Sequence, residues 1–311
     1  MSRKSTIFVT GASGFVGSAL LATMDRVAAG VHVKVGLRDI SGSDLNYDTV
    51  KLDLAKKIRI DLKNIDVLVH LAGVAHNRSA PTASYDMINH KATLLLAKTA
   101  SDQGVKRFIF LSSIGVNGKV SSITDPFTRH SIPAPHNDYA QSKYDAELGL
   151  IELAKSSPME IVIIRPPLIY GSNAPGNFSK LVKLVRFCIP FPLSALDNKR
   201  SFIGITNLCN FICKVIDLKL VGLEKSEIFL VSDAEVISTA QLISAIGLSR
   251  HKRVFSIPFS RNLLVSILLF FRLNNLKESL LDDLVIDSSY ARRKINWDPD
   301  ISVLKELNNG R

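Results

Sequence analysis

The chain has 311 residues, 46% of them hydrophobic and 22% charged, an ordinary globular composition long enough to bury a large core. Its net charge of +11 suits nucleic acid, anionic lipid or a small molecule bearing phosphates. With no basic block, zinc-ligand pattern or aromatic RNA-binding motif, nucleic acid is the weakest of the three and is not expected as a partner.

Five mostly polar residues precede the first strand, which leaves no room for a signal peptide and points to the cytoplasm. Thr6-Ile-Phe-Val-Thr10 has the β-branched and aromatic composition of a buried strand. It runs into Gly11-Ala-Ser-Gly14-Phe-Val-Gly17 and then an apolar stretch that predicts a helix over 14–29. Strand, glycine-rich turn and helix form the context of a dinucleotide fingerprint, here spaced G-x-x-G-x-x-G. Gly11 would make the tight turn, Gly14 would admit the pyrophosphate, and Gly17 would let helix and strand pack closely.

The second strand, 31–37, ends without an acid. An acid there holds ribose hydroxyls, whereas an arginine accommodates a 2′-phosphate. Arg38 follows directly and leans the cofactor toward NADP over NAD; Asp39 takes the acid role if the strand ends one residue later. A third strand is expected over 50–54, with Asp53 placed to meet an adenine amino group. Further strands are expected over 67–71, 107–112 and 160–165, with helices over 85–103 and 139–156. Such alternation predicts an α/β fold, a doubly wound parallel sheet covered on both faces, with ligands at the carboxyl ends of its strands. Asp66-Val-Leu-Val-His-Leu-Ala-Gly73 ends in small residues at that edge, and Phe108-Ile-Phe-Leu-Ser112-Ser113 ends in two hydroxyls there. On the next helix Tyr139 and Lys143 are four residues apart and share one face. A cation beside a phenol lowers its pKa, so Ser, Tyr and Lys can converge as a proton-handling set.

Cys188 stands alone, while Cys209 and Cys213 are i, i+4 on an amphipathic segment that predicts packing rather than metal or redox chemistry; no metal site is expected. Leu263-Leu-Val-Ser-Ile-Leu-Leu-Phe-Phe271, bracketed by Arg261 and Arg272, is too short to span a bilayer. Its default is a buried helix, with peripheral membrane contact through 262–272 as the alternative.

Taken in order, Thr10-Gly-Ala-Ser-Gly-Phe-Val-Gly17, Asp53, His70-Leu-Ala-Gly73, Asn89, Leu111-Ser-Ser113, Tyr139-Ala-Gln-Ser-Lys143 and Arg165-Pro-Pro-Leu-Ile-Tyr-Gly171 resemble the extended short-chain dehydrogenase/reductase family, in its nucleotide-sugar epimerase branch. Gly176-Asn-Phe178, the stretch from Arg200 to Leu208 and Ile295-Asn-Trp-Asp-Pro299 continue the match over almost the whole chain. The resemblance implies a Rossmann-type domain over 1–165 with a return near 201–231, and a smaller mixed sugar-nucleotide domain over 166–200 and 232–311. It implies Tyr139 as acid/base, Lys143 on the nicotinamide ribose and depressing the tyrosine pKa, and Ser113 on the reacting oxygen, with Ser112 as the alternative. Cofactor contacts would come from Gly11, Ser13, Gly14, Phe15, Val16, Gly17, Arg38, Asp53, Leu54, Leu71, Ala72, Gly73, Lys143 and Pro166, and the nucleotide diphosphate would meet Asn177 and Arg200.

Two reactions at C4 of a UDP-hexose fit the resemblance, within surface-polysaccharide precursor synthesis. One is a UDP-glucose or UDP-N-acetylhexosamine 4-epimerase, the family default. The other is an NADPH-dependent reductase of UDP-4-keto-6-deoxy-N-acetylglucosamine, favoured by Arg38. A lipid-linked sugar is a third substrate option, suggested by residues 263–271. A non-catalytic NADP-sensing regulator on the same fold is disfavoured because the chain keeps both Tyr139 and Lys143. The resemblance also implies a homodimer that pairs the 85–103 and 139–156 helices.

Overall fold

The structure, a computed structural model, describes residues 5–27, 30–40, 46–56, 58–75, 82–187, 190–217, 225–271 and 274–309. The chain divides into two compact units. The first comprises Met1–Asn117, Ile132–Pro166 and Cys209–Leu230. It is built on β1 (Thr6–Thr10), β2 (His32–Leu37), β3 (Asp48–Lys51), β4 (Val67–His70), β5 (Arg107–Leu111) and β6 (Glu160–Arg165). A seventh strand from much later in the chain, Ser226–Leu230, completes the sheet beside β6. The order is β3-β2-β1-β4-β5-β6 and then the late strand, every neighbouring pair parallel. This is the expected doubly wound parallel sheet. The apolar strand runs follow from burial on both faces. Phe8, Leu68, Phe108, Phe110, Ile161 and Ile163 point to one side. There they pack on Leu96, Ala97 and Ala100 of one helix and Ala146, Leu150 and Ala154 of another.

The strand order reverses between β1 and β4, so the carboxyl ends of those two strands flank the sheet's switch point, where ligands of such sheets bind. The helix after β1 is α1 (Phe15–Val27); those before β5 are α2 (Thr82–Tyr85) and α3 (Ala92–Asp102); the one after β5 is α4 (Asp138–Ser156). The expected third strand, 50–54, is displaced to 48–51. Leu52 N still donates to Leu37 O at 2.7 Å, but the Asp53 carboxylate then accepts from Ala55 N at 3.1 Å and closes a side-chain turn that ends the strand. The expected continuous helix over 85–103 is interrupted by one π-helical turn, Asp86–Lys91.

The second unit comprises Gly118–Ser131, Pro167–Leu208 and Val231–Arg311, and so takes in Gly118–Ser131 as well. It holds the parallel pair β7 (Leu168–Tyr170) and β8 (Phe202–Gly204). The remaining α-helices among the described residues are α5 (Asn177–Arg186), α6 (Ile205–Asp217), α7 (Thr239–Ser249), α8 (Arg261–Phe270), α9 (Asn274–Leu281), α10 (Ser289–Ile295) and α11 (Val303–Asn308); Ser226–Leu230 is β9. The buried Asp233 carboxylate accepts from Tyr170 Oη at 2.5 Å, Gly204 N at 3.1 Å and Asn207 Nδ2 at 2.7 Å, which locks β7 and β8 to the start of α6. Each partner compensates the desolvated carboxylate, whose pKa burial nonetheless raises.

Cys209 and Cys213 are buried free thiols on α6, and Cys188 lies outside the described residues. The default of a buried helix over 263–271 is overturned: α8 forms there, but among its residues only Leu268 is buried, and Leu263, Leu269, Phe270 and Phe271 stand half to mostly exposed. Local apolarity signals a helix, but burial needs a neighbour to cover it.

Gly17 is the tightest point of the nucleotide turn. A Cβ there would land on Gly11 O and within 2.7 Å of Ala12 Cα, backbone that has no rotamer to change. Gly17→Ala should therefore cost about 1–3 kcal/mol of unfolding free energy, the range of overpacked cores, as read by urea titration.

Candidate active site

The β1–α1 turn is shaped by backbone contacts. Gly11 has φ +71°, a left-handed value that favours glycine, and a Cβ on it would sit 2.6 Å from Ala72 N. Gly14 N donates to Gly11 O at 2.9 Å, which closes the turn. Leu71 N donates to Thr10 O, and Ala72 N to Thr10 Oγ1, so the Leu71-Ala72-Gly73 segment is stitched directly beside the glycine turn. Ser13 and Gly14 are exposed, Phe15 and Val16 half-buried, and the first turn of α1 carries no acid. The helix N-terminus thus presents N–H groups and a positive dipole end to an anion with no carboxylate to oppose it.

Below this edge lies a buried polar thread. His70 has no exposed surface; its Nδ1 lies 2.7 Å from Thr10 Oγ1 and its Nε2 3.0 Å from Thr93 Oγ1. Burial first, and the Lys143 charge second, push its pKa down to about 3, so the ring is neutral at physiological pH. Asn89 lies in the π-turn and is fully buried. Its side chain holds both backbone groups of Val74, accepting from N at 2.8 Å and donating to O at 3.0 Å, and also donates to Ser142 Oγ at 3.1 Å. The extra residue of a π-turn re-aims a side chain, and here it clamps the segment after β4 onto α4.

Ser113 follows the end of β5, and Tyr139 and Lys143 lie on α4. Asn137 caps α4, its Oδ1 accepting from Ala140 N at 2.8 Å, and this fixes Tyr139 in the first turn of the helix. Lys143 is buried, donates from Nζ to Leu111 O at 2.9 Å, and stands 4.5 Å from the Phe110 ring centre. Its ammonium lies next to Gly73 as well: a Cβ on that glycine would be 3.4 Å from Nζ. Burial lowers the Lys143 pKa to about 8, with Glu147 opposing the fall. Tyr139 packs edge-on against Tyr85, ring centres 6.2 Å apart. Its pKa is pushed up to about 12, by burial first and by Tyr85 second. The expected depression by Lys143 is therefore not a net property of the chain's own groups, in which desolvation prevails.

Ser113 is half-buried and begins a single 3₁₀ turn, Ile114–Val116, its Oγ accepting from Gly115 N at 3.1 Å. Gly115 meets α4, since a Cβ on it would lie 3.4 Å from Ala140 Cβ. Ser112 is buried instead, and its hydroxyl donates to Glu147. Glu147, one turn beyond Lys143, also receives Arg165: Nε donates to Oε1 at 3.0 Å and Oε2 at 3.2 Å, and Nη2 pairs with Oε2. Arg165 Nη1 donates to Asn117 Oδ1 at 2.9 Å, while Ile114 N donates to Pro166 O at 2.9 Å. Glu147, Asn89 and His70 receive no role from sequence spacing; Glu147's only signal is that it follows Tyr139 and Lys143 at i+8 and i+4 on one helix face.

Arg38 is exposed at the carboxyl end of β2, and Asp53 and Leu54 are half-buried after β3. In the second unit Asn177 is the exposed first residue of α5, preceded by Gly176 at φ +71°. Arg200 is half-buried; its Nη1 donates to Asp282 O at 2.7 Å and Glu278 O at 3.2 Å, and burial lowers its pKa. Among the described residues no group of side chains could hold a metal ion.

The His70 environment has a pH consequence. The folded pKa lies below the 6.5 of a free histidine, so only the unfolded chain takes up a proton as pH falls below about 6.5, and stability falls with it. His70→Gln removes that linkage. Between pH 6 and 4 its stability should decline less steeply than wild type by about 1.4 kcal/mol per pH unit, read by denaturant titration across pH.

Comparison with known proteins joins these observations. A sequence model described as the NAD dependent epimerase/dehydratase family matches residues 7–229. The chain is 34% identical over 301 residues to a UDP-glucose 4-epimerase of Vibrio cholerae, covering 94% of this chain and 90% of that one. It is 28% identical over 253 residues, 80% and 73% of the two chains, to an N-acetyl-α-D-glucosaminyl-diphospho-ditrans,octacis-undecaprenol 4-epimerase of Escherichia coli O157:H7. Among solved structures, a UDP-glucuronic acid 4-epimerase of Bacillus cereus with NAD superposes with a TM-score of 0.76 at 21% identity, over 97% and 94% of the chains, a likeness of fold. The glycine turn at the switch point, the Ser-Tyr-Lys set and a matched stretch of this length lead to one conclusion: the chain is an enzyme of the NAD dependent epimerase/dehydratase family, within the extended short-chain dehydrogenases/reductases.

Proposed function

We propose that the protein carries out oxidoreduction at C4 of a UDP-hexose, as a UDP-glucose or UDP-N-acetylhexosamine 4-epimerase. The observation that supports this reading is Lys143, buried on α4 next to Gly73 and bonded to Leu111 O, with Tyr139 four residues before it on the same helix and the Vibrio cholerae relative in support.

The residues of the turn fit a dinucleotide. Gly11 and Gly17 leave no room for a Cβ, and α1 begins without an acid. Gly11, Ser13, Gly14, Phe15, Val16 and Gly17 would hold the pyrophosphate, and Leu71, Ala72, Gly73 and Pro166 the nicotinamide half. Asp53 and Leu54 would hold the adenine. When bound, NAD or NADP supplies a hydride acceptor and donor at C4. The chain manages the proton. Tyr139 takes it from the C4 hydroxyl on oxidation and returns it on reduction, and Ser113 donates a hydrogen bond to that oxygen. Ser112 is turned onto Glu147, which leaves Ser113 the hydroxyl proposed for substrate. Burial and Tyr85 raise the Tyr139 pKa in the chain alone; the Lys143 charge and the positive nicotinamide ring of a bound cofactor would favour the phenolate. Asn177 and Arg200 are proposed to hold the diphosphate, a guanidinium being suited to phosphate oxygens.

A second reading rests on Arg38. It is exposed where an acid would hold an NAD ribose, and this favours NADPH and a 4-keto reductase acting on UDP-4-keto-6-deoxy-N-acetylglucosamine. Leu95 on α3 and Leu148 on α4 are about half exposed, at 50% and 49%, and those helices are proposed to pair in a homodimer.

Product analysis after incubation with UDP-glucose, UDP-N-acetylglucosamine and the 4-keto sugar, with and without NADPH, separates the readings. Interconversion of 4-epimers without added NADPH is expected; consumption of NADPH with the 4-keto sugar alone would establish the reductase instead. Tyr139→Phe should lower turnover in the active assay by at least about 10²-fold while cofactor binding, followed by fluorescence, stays near wild type. Preserved turnover would remove Tyr139 from the acid/base role.

A further inference from the structure

Leu263, Ile267, Phe270 and Phe271 fall at i, i+4, i+7 and i+8, one continuous stripe along α8 and its C-terminal residue. All four are exposed, Phe270 at 81% and Phe271 at 63%, and the two rings stack edge-on at 5.2 Å. The stripe is extended by the chain entering α8. Phe255 and Ile257 are exposed too, and their backbones are fixed by Phe191, which donates to Phe255 O and accepts from Ile257 N, both at 2.9 Å. Ser194 Oγ donates to Phe259 O at 3.2 Å, tying the same segment down next to α8. These side chains are therefore held outward by an ordered scaffold.

The sequence that leads into this apolar face is basic. No Asp or Glu occurs between Glu235 and Glu278, a stretch that contains Arg250, Lys252, Arg253 and Arg261. None occurs between Glu160 and Asp197 either, where Lys180, Lys183 and Arg186 lie on α5, followed by Phe187, exposed at 72%. Arg261 is paired with Asp197, and Lys277 with Asp282 at 2.9 Å. Arg250, Lys252 and Arg253 form an exposed basic run with His251 just ahead of the apolar segment. The run is short in sequence and stands out only beside the exposed apolar residues that follow it.

We infer that the α8 face, with Phe255, Ile257, Phe270 and Phe271 as apolar anchors and Arg250, Lys252 and Arg253 as headgroup contacts, docks the protein on the surface of an anionic lipid bilayer. Exposed aromatic and aliphatic side chains partition into the boundary between headgroups and acyl chains, and adjacent cations meet lipid phosphates. The same face fits a second copy of the chain poorly. A two-fold contact places each patch against itself, so the Arg250–Arg253 runs would face their own copies, while Asp197 and Asp282 are already paired with Arg261 and Lys277. A soluble polyphosphate would match the cations but leave the phenylalanines in water. Among the described residues no helix is long and apolar enough to cross a membrane, so the contact is peripheral.

Co-sedimentation of the full chain with vesicles tests this. Binding is expected to phosphatidylcholine vesicles containing about one-third phosphatidylglycerol, and to fall at least about fivefold on phosphatidylcholine alone. Raising salt from about 0.1 M to about 1 M shortens the screening length from ~10 Å to ~3 Å and should weaken it strongly. Phe270→Ser with Phe271→Ser, and separately Lys252→Gln with Arg253→Gln, should each reduce vesicle affinity about tenfold or more. These residues are exposed, so circular dichroism should be unchanged. No binding to the anionic vesicles, or binding indifferent to both variants, would overturn the inference. So would a concentration-dependent dimer in sedimentation velocity that Phe270→Ser with Phe271→Ser abolishes, because the face would then belong to a second copy.

Discussion

The buried pairing of Glu147 with Arg165 is the constraint on which the rest of the candidate site depends. Both side chains are within 2% of complete burial, and neither charge could remain there alone, because desolvating a carboxylate or guanidinium costs several kcal/mol unless a partner and further hydrogen bonds offset it. The pair is fully furnished. Glu147 receives Arg165 and Ser112, and Arg165 reaches on to Asn117. Four separate pieces of chain are thereby tied at one point: α4, which carries Tyr139 and Lys143; β6, which carries Arg165; the end of β5 at Ser112; and the turn that follows Ser113. A buried ion pair adds little net stability over well-packed apolar groups, so its retention makes most sense as a device that fixes geometry.

The same logic recurs at smaller scale. Asn89 spends its whole amide on Val74 and Ser142, and His70 bridges Thr10 and Thr93. Each of these buried polar groups spans two elements that meet at the carboxyl edge of the sheet. Apolar packing supplies the cohesion of the unit, but it is non-directional and tolerates sliding. Directional bonds set the register in which α4 and the end of β5 meet.

Much of this was legible in the sequence because it is encoded locally. Thr6–Thr10 followed by Gly11, Gly14 and Gly17 specifies strand, turn and helix within twelve residues, and strand-helix alternation implies the parallel sheet. Tyr139 and Lys143 are adjacent by helical geometry alone. What stayed hidden depends on contacts distant in sequence. Glu147 and Arg165 are 18 residues apart on different elements, and Ser112 reaches Glu147 across 35. The π-turn at Asp86–Lys91 has no local signature, and so Asn89 could be aligned but given no task. The raised Tyr139 pKa of the chain alone stayed hidden because a neighbouring cation can be read from spacing, whereas desolvation cannot. The α8 stripe failed for the converse reason: its apolarity is plain in sequence, but whether a neighbour covers it is a tertiary fact.

The central claim, that the Glu147–Arg165 pair positions the Ser-Tyr-Lys set rather than merely stabilising the fold, is tested by comparing Glu147→Leu, Arg165→Met and the double variant for unfolding free energy and kcat together. Each single variant strands a buried charge and should lose about 3–5 kcal/mol, while the double variant should recover most of that. With stability recovered, the account predicts that kcat of the double variant remains about 10²-fold below wild type, as small misplacements of catalytic groups do. A stable double variant with wild-type kcat would show that the pair positions nothing, and would contradict the account.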